Sequence, residues 1–347
     1  ISETHARRRL ATVGTGYFSQ FHYEAWRRLD VDLVAVCSLS KSEAVAVAAA
    51  AAFADCVAFV DFETMLDAVK PDLVDIIAPP EVHMAFIEMC VARGIPTICQ
   101  KPFTRSLIEA KVAVQLAEDA DVPLFVHENF RFQPWHMKIK EMLDAGRVGK
   151  VYQATFRLRP GDGQGPAAYL NRQPYFQEME RFLVHETAIH LIDVFRGFFG
   201  EIETVTAELT QFNPHIAGED AGFIIMNFEN GVRALFDGNR LSDHIAKDRR
   251  QTIGDMWVEG SKGTIRLSGD GQIFFRTFGA NAEEVVPFDW EARGFAGDSV
   301  YRTQKQILDH LTSGSTVVNT GLDYLANLRA EEAVYKSSET GRRISLT

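Results

Sequence analysis

Nowhere does the chain run for about 18 uncharged apolar residues, so it offers no bilayer-spanning helix. Its most apolar stretch, residues 44–60, is mostly alanine and is broken by Asp55, which reads as a helix and the turn after it. Positive charge is also short. Against 47 Asp+Glu there are 36 Lys+Arg, a net charge of -11, which excludes a phosphate-backbone binder because nucleic-acid affinity needs a basic face. A local basic site for a small anion stays open. Cysteine is scarce, and Cys37, Cys56, Cys90 and Cys99 have neither metal-ligand nor disulfide-framework spacing. They read as buried thiols of a reducing compartment. Residues 1–9 are polar, carry Arg7-Arg8-Arg9 and lack the apolar core of a secretory signal, so the expected location is the cytoplasm. Internal repeats and low-complexity linkers are missing too, and 347 residues predict two domains.

What is present falls into two textures. In the first third, the apolar runs 10–13, 33–37, 73–78, 97–99 and 124–126 alternate with helical spacing over 17–29, 40–52, 81–93 and 104–118. Pro71, Gly94 with Pro96, and Pro123 fall at the expected breaks. Continuous apolar strands between helices predict a doubly wound parallel sheet over residues 1–126. From 127 to 347 the pattern becomes strand after strand: 150–159, 201–212, 222–228, 233–239, 256–259, 264–267 and 272–278. Turns at Glu229-Asn230-Gly231, Gly260–Gly263 and Gly269-Asp270-Gly271 predict an antiparallel sheet. A helix over about 185–199 interrupts it, and helices return within 299–336. The expected class is thus α/β, a Rossmann domain followed by an α+β domain.

The first strand leads into Val13-Gly14-Thr15-Gly16-Tyr17-Phe18-Ser19 at the start of the first helix. Gly14 permits the tight turn and Gly16 the approach of a pyrophosphate to the helix N-terminus; the third position is Ser19, where Gly or Ala is usual. With this placement, residues 14–18 are expected to bind a dinucleotide. The second strand ends Val36-Cys37-Ser38 and not in the acid that would bind the ribose of NAD. Ser38, Ser40 and Lys41 can donate to a 2′-phosphate, yet no arginine clamps it. Both NAD and NADP fit, with a slight lean to NADP.

Three further stretches follow successive strands: Ile77-Ala78-Pro79-Pro80-Glu81-Val82-His83, Gln100-Lys101-Pro102 and Asn129-Phe130-Arg131-Phe132-Gln133-Pro134. In order and spacing they resemble the Gfo/Idh/MocA oxidoreductases, over nearly the whole chain. The resemblance implies a second domain built on a large open sheet and a nicotinamide in the cleft between domains. It assigns Ala78, Pro79, His83, Gln100 and Lys101 to the cofactor. The usual Glu-Lys-Pro is here Gln100-Lys101-Pro102.

Glu186-Thr187-Ala188-Ile189-His190-Leu191-Ile192-Asp193 resembles the family's D-x-G-x-H-x-x-D, with Glu186 and Ala188 as departures. On an α-helix, 186, 190 and 193 would share one face, and Leu183, Ile189, Ile192, Val194 and Phe195 make the segment apolar. His185 and His190 lie about 140° apart around a helix, and Glu186 does not complete HExxH, so no metal is expected. Oxidising a secondary alcohol needs a base, and histidine suits it. The reading gives the proton to His190, oriented by Asp193, with Glu186 tuning it or holding a neighbouring hydroxyl. Lys101 then stabilises the reacting oxygen. From sequence the two roles can be exchanged.

Arg157 and Arg159 share a strand face, and arginine suits carboxylates. With Asn129, Tyr169 and Arg181 they lead to the expectation of a polyhydroxy sugar acid, oxidised with or without isomerisation. Gly161-Asp162-Gly163-Gln164-Gly165 is expected to form a mobile loop, and the ensemble resembles the D-apionate oxidoisomerase branch. A neutral-sugar or inositol dehydrogenase, or a non-catalytic dinucleotide-binding sensor, stands as the alternative. The open sheet needs its outer face covered, so a homo-oligomer, dimer or tetramer, is expected.

Overall fold

The computed structural model describes residues 7–43, 45 and 55–346. The expected helix over 40–52 and the apolar stretch 44–60 lie largely outside them. Two compact units form: Ile1–Asn129 with Val300–Leu325, and Phe130–Ser299 with Ala326–Thr347. The chain thus enters the first unit twice, unlike the division at 126/127. Ile307 and Leu308 pack with Leu10, Trp26 and Leu33, and Val126 donates its N–H to the Asn319 carbonyl at 2.8 Å.

In the first unit, β1 (Arg8–Val13), β2 (Val31–Cys37), β3 (Val57–Phe59), β4 (Leu73–Ile76), β5 (Thr97–Gln100) and β6 (Leu124–His127) form a six-stranded sheet among the described residues. Its order is β3-β2-β1-β4-β5-β6, and every pair is parallel. All residues of β4, β5 and β6 are buried, as strands covered on both faces must be. The helices α1 (Ser19–Trp26), α2 (Phe62–Val69), α3 (His83–Val91) and α4 (Leu107–Asp119) connect them. Their starts follow local chemistry: Asp61 accepts from the Thr64 N–H at 2.8 Å and Ser106 from the Glu109 N–H at 3.2 Å.

The second unit opens with α5 (Pro134–Asp144), whose proline stands in the first turn. Its sheet has nine strands among the described residues. They are β7 (Val151–Leu158), β8 (Ile202–Thr210), β9 (Ala221–Phe228), β10 (Arg233–Asn239), β11 (Gly254–Gly260), β12 (Gly263–Leu267), β13 (Ile273–Thr277), β14 (Glu284–Val286) and β15 (Ile344–Ser345). The order is β14-β13-β12-β11-β7-β10-β9-β8-β15, antiparallel except for the β7–β10 pair. One face buries Ala154, Phe156, Ile224, Met226, Phe236 and Val258 against α6 (Ile189–Phe199).

Candidate active site

At the end of β1 the chain turns through Gly14, whose φ is +114°. A Cβ there would stand 2.6 Å from the Ile77 carbonyl, so only glycine fits, while around Gly16 a Cβ would meet nothing within 4 Å. The first glycine is required by the protein's own packing. The second leaves open space before α1, whose N-terminus has no side-chain cap and no acid in its first turn. This cradle fits a dinucleotide pyrophosphate. Tyr23 braces it from below, donating to the Gly14 carbonyl at 2.9 Å. Ser19 is buried and Tyr17 exposed, with Phe18 between.

The end of β2 holds a carboxylate after all. Thr15 Oγ1 donates to Glu43 Oε2 at 2.9 Å and lies 2.9 Å from Ser38 Oγ, which is 3.4 Å from the same carboxylate. Glu43 stands five residues beyond Ser38, so reading only the last residue of β2 misses it. Lys41 is exposed.

After β4, Ala78 and exposed Pro79 form a loop tied down by His83. Its ring nitrogens meet the carbonyls of Ala78 at 2.7 Å and Phe103 at 3.0 Å. Burial lowers its pKa against the pull of those carbonyls. His83 therefore shapes the loop from beneath. After β5, the half-buried Lys101 precedes Pro102; Gln100, expected at the cofactor, is buried with its amide spent within the first unit, Oε1 on the Lys101 N–H at 2.7 Å and Nε2 on His22 at 2.9 Å. Asn129, just past β6, is buried.

In the second unit, His190 lies on α6, 5% exposed, and its ring stacks flat on Phe130 with centroids 3.9 Å apart and planes 4° apart. The segment before it differs from the expected continuous helix. Leu183–Ala188 is a π-helical turn and the α-helix begins at Ile189. The wider turn takes Glu186 out of α-register with His190 and Asp193; such turns are frequent at functional sites. Asp193 is gripped by Arg131 Nε and Nη2 at 2.6 and 2.7 Å and by Asn327 Nδ2 at 2.7 Å. Gly197 leaves room for Arg131, whose side chain would lie 3.2 Å from a Cβ there.

Arg240 had no sequence signal, because nothing near it in the chain resembles a motif. It is buried, forks onto Asp162 at 2.8 and 3.2 Å and donates to Thr187 Oγ1 at 2.8 Å. Its guanidinium packs over Tyr169, Phe176 and Phe182. It thereby fastens the π-turn to the 161–165 loop and to Tyr169, which is buried with φ +69°. That loop is also held by Asn213 Nδ2, which donates to the carbonyls of Gly163 at 2.8 Å and Gly165 at 3.0 Å. In place of the mobile loop expected from five glycine-rich residues, the structure has a stapled one.

The three arginines offered to a substrate carboxylate each face a carboxylate of the chain. Arg159 forks onto Asp237 at 2.7 and 2.8 Å, Arg157 lies 3.9 Å from the same group, and Arg181 pairs with Glu332 at 2.5 Å while stacking over Tyr335. No group of three or more His, Cys, Asp or Glu among the described residues could hold a metal ion.

Known proteins share this architecture. Residues 8–128 match the oxidoreductase family with an NAD-binding Rossmann fold, and residues 136–266 match the GFO/IDH/MocA C-terminal domain. The D-apiose dehydrogenase of Rhizobium rhizogenes is 31% identical, covering 97% of this chain and 96% of its own. That of Paraburkholderia graminis is 33% identical over 97% of this chain and 89% of its own. An oxidoreductase from Agrobacterium radiobacter, solved in complex with NAD+, L-tartaric acid and magnesium, superposes with a TM-score of 0.87 at 29% identity over 98% of both chains. The chain belongs to the Gfo/Idh/MocA family of oxidoreductases and is a nicotinamide-dependent dehydrogenase.

Proposed function

We propose that this protein oxidises a secondary hydroxyl of a neutral sugar of the D-apiose kind, with NAD as the acceptor. The observation that carries the neutral substrate is the pairing of Arg157, Arg159 and Arg181 with Asp237 and Glu332. A substrate carboxylate would have to displace a carboxylate already in place, so the arginines are better spent on fold than on an acid. The names of the D-apiose dehydrogenase relatives point the same way.

In this reading the Gly14–Ser19 turn and the α1 N-terminus hold the pyrophosphate, and Ser38, Thr15 and Glu43 receive the adenosine ribose hydroxyls. The bound nicotinamide supplies the hydride acceptor. Lys101 donates to the reacting oxygen and stabilises its alkoxide character. His190 takes the hydroxyl proton, its ring plane set by Phe130, so the base is presented in one orientation. Glu186 accepts from a neighbouring sugar hydroxyl. A second copy of the chain covers the outer face of the nine-stranded sheet.

The test is titration with NAD and NADP, then turnover at 340 nm against D-apiose, other aldoses, inositols and aldonates. Expected is NAD binding with turnover of D-apiose or a close neutral sugar. Turnover of aldonates with neutral sugars inert would overturn the substrate assignment. Binding without turnover of any of these would favour a sensor.

A further inference from the structure

The C-terminal ends of β4, β5 and β6 carry Asp75, Gln100 and His127 side by side, with Gln100 and His127 as register partners. His22 and Trp26 reach them from α1. All five side chains are buried. Within this cluster the direction of each hydrogen bond is forced. The Lys101 N–H can only donate, so its partner at 2.7 Å is the carbonyl oxygen of Gln100. The other end of that amide is therefore the NH2, which donates to His22 Nε2 at 2.9 Å. An imidazole that accepts at Nε2 and is neutral carries its proton on Nδ1. That nitrogen stands 2.8 Å from Asp75 Oδ2, which also accepts from Trp26 Nε1 at 2.8 Å. His127 stacks on His22 with centroids 4.1 Å apart, and burial, then the neighbouring imidazole, hold its own pKa well below the usual range.

We propose that Asp75, His22 and Gln100 form a positioning relay that fixes the amide plane through which Lys101 leaves β5, and so aims the lysine. The relay rests on the reading of Lys101 given above and deepens it. Three buried polar groups are costly where apolar ones of the same shape would pack as well, and this chain of bonds ends on the backbone N–H of the lysine. Glutamine is matched to the device. A glutamate at position 100 could still accept from Lys101, but its second oxygen would face the accepting Nε2 of His22 and would require a second proton on that ring. Gln100 lets the His22 ring stay neutral between it and the Asp75 carboxylate; the glutamate of the related Glu-Lys-Pro motif would require an imidazolium there.

The experiment combines kinetics with D-apiose and NAD, NAD titration, and nitrogen NMR of the full-length protein carrying 15N-labelled histidine. In the unmodified protein His22 is expected to show a protonated Nδ1 and a bare Nε2; a protonated Nε2 overturns the proposal with no variant needed. Gln100→Leu and His22→Asn are expected to lower kcat by between about tenfold and about 100-fold while leaving the NAD Kd within about twofold. Gln100→Glu is expected to restore kcat to within about threefold of the unmodified protein and to move Nε2 into the protonated range, since it still receives the Lys101 N–H. Unchanged kcat in Gln100→Leu, or no recovery in Gln100→Glu, overturns the relay if Lys101→Met removes turnover. Should Lys101→Met leave turnover intact, the assignment of Lys101 itself fails and the relay with it.

Discussion

A 2′-phosphate on the adenosine ribose would bring about two negative charges against Glu43, whose carboxylate already receives Thr15 and stands beside Ser38. Without the carboxylate that repulsion disappears, while Ser38 and the exposed Lys41 remain as donors. Glu43→Gln is therefore expected to move the ratio of kcat/KM for NAD to that for NADP about tenfold toward NADP. An unchanged ratio would remove Glu43 from cofactor selection. A second residue-scale expectation concerns stability. His136 is fully enclosed at the start of α5, donates through Nδ1 to the Phe130 carbonyl at 2.8 Å, and burial lowers its pKa to about 4. Unfolded, the ring takes up a proton near pH 6.5. Between these values the unfolded state binds the extra proton, so stability is complete above about pH 6.5 and falls as pH drops toward about 4, by about 3 kcal/mol. Urea unfolding at pH 7 and pH 4.5 should show a smaller loss in His136→Asn than in the unmodified protein; equal losses would show that another group is responsible.

At the scale of elements, α6 is held by charge as well as by apolar packing. Arg131, Asp193, Asn327 and Arg196 form a continuous network, Arg196 donating to Asn327 Oδ1 at 2.8 Å. Asp193 is fully buried, and its removal takes two charge-assisted hydrogen bonds from the mostly buried Arg131. Asp193→Ala is expected to cost about 3–5 kcal/mol in denaturant unfolding, and Arg131→Met with Asp193→Leu to recover most of it. If Asp193→Ala instead lost turnover with stability intact, Asp193 would act on the chemistry and not on the helix. The parallel strands were legible because burial on both faces leaves unbroken apolar runs, and the hairpins because Asn230-Gly231, Gly260–Gly263 and Gly269–Gly271 force tight turns. Short β3 and edge strand β14 were not, since three residues give no usable period. Gly14 could be read directly, because its steric demand is local. The π-turn at Leu183–Ala188 could not, because the spacing of apolar residues is compatible with an ordinary helix. Arg240 and the Asp237 and Glu332 partners of the three arginines are long-range acquaintances that only folding makes.

For the whole molecule, the outer face of the nine-stranded sheet poses a question of solvation. Register places Thr206, Ile225, Leu235, Thr155, Trp257, Arg266 and Phe274 in one row across seven strands. Ile225 is 42% exposed, and Phe223 in the adjoining row is 53% exposed. Arg266 lays its guanidinium over Phe274 and pairs with Glu283, so the row has a charged rim and an apolar middle. A soluble monomer rarely leaves such a band in water, whereas a two-fold partner offering the same band would bury it. Light scattering is therefore expected to give a mass at least twice the 38.8 kDa of the chain. Ile225→Arg together with Leu235→Glu should reduce it to that of one chain, with thermal unfolding of the separated chain at lower temperature because the partner's burial is lost. A monomeric unmodified protein would sink the assembly outright. An oligomer that survives both substitutions would move the interface off this face.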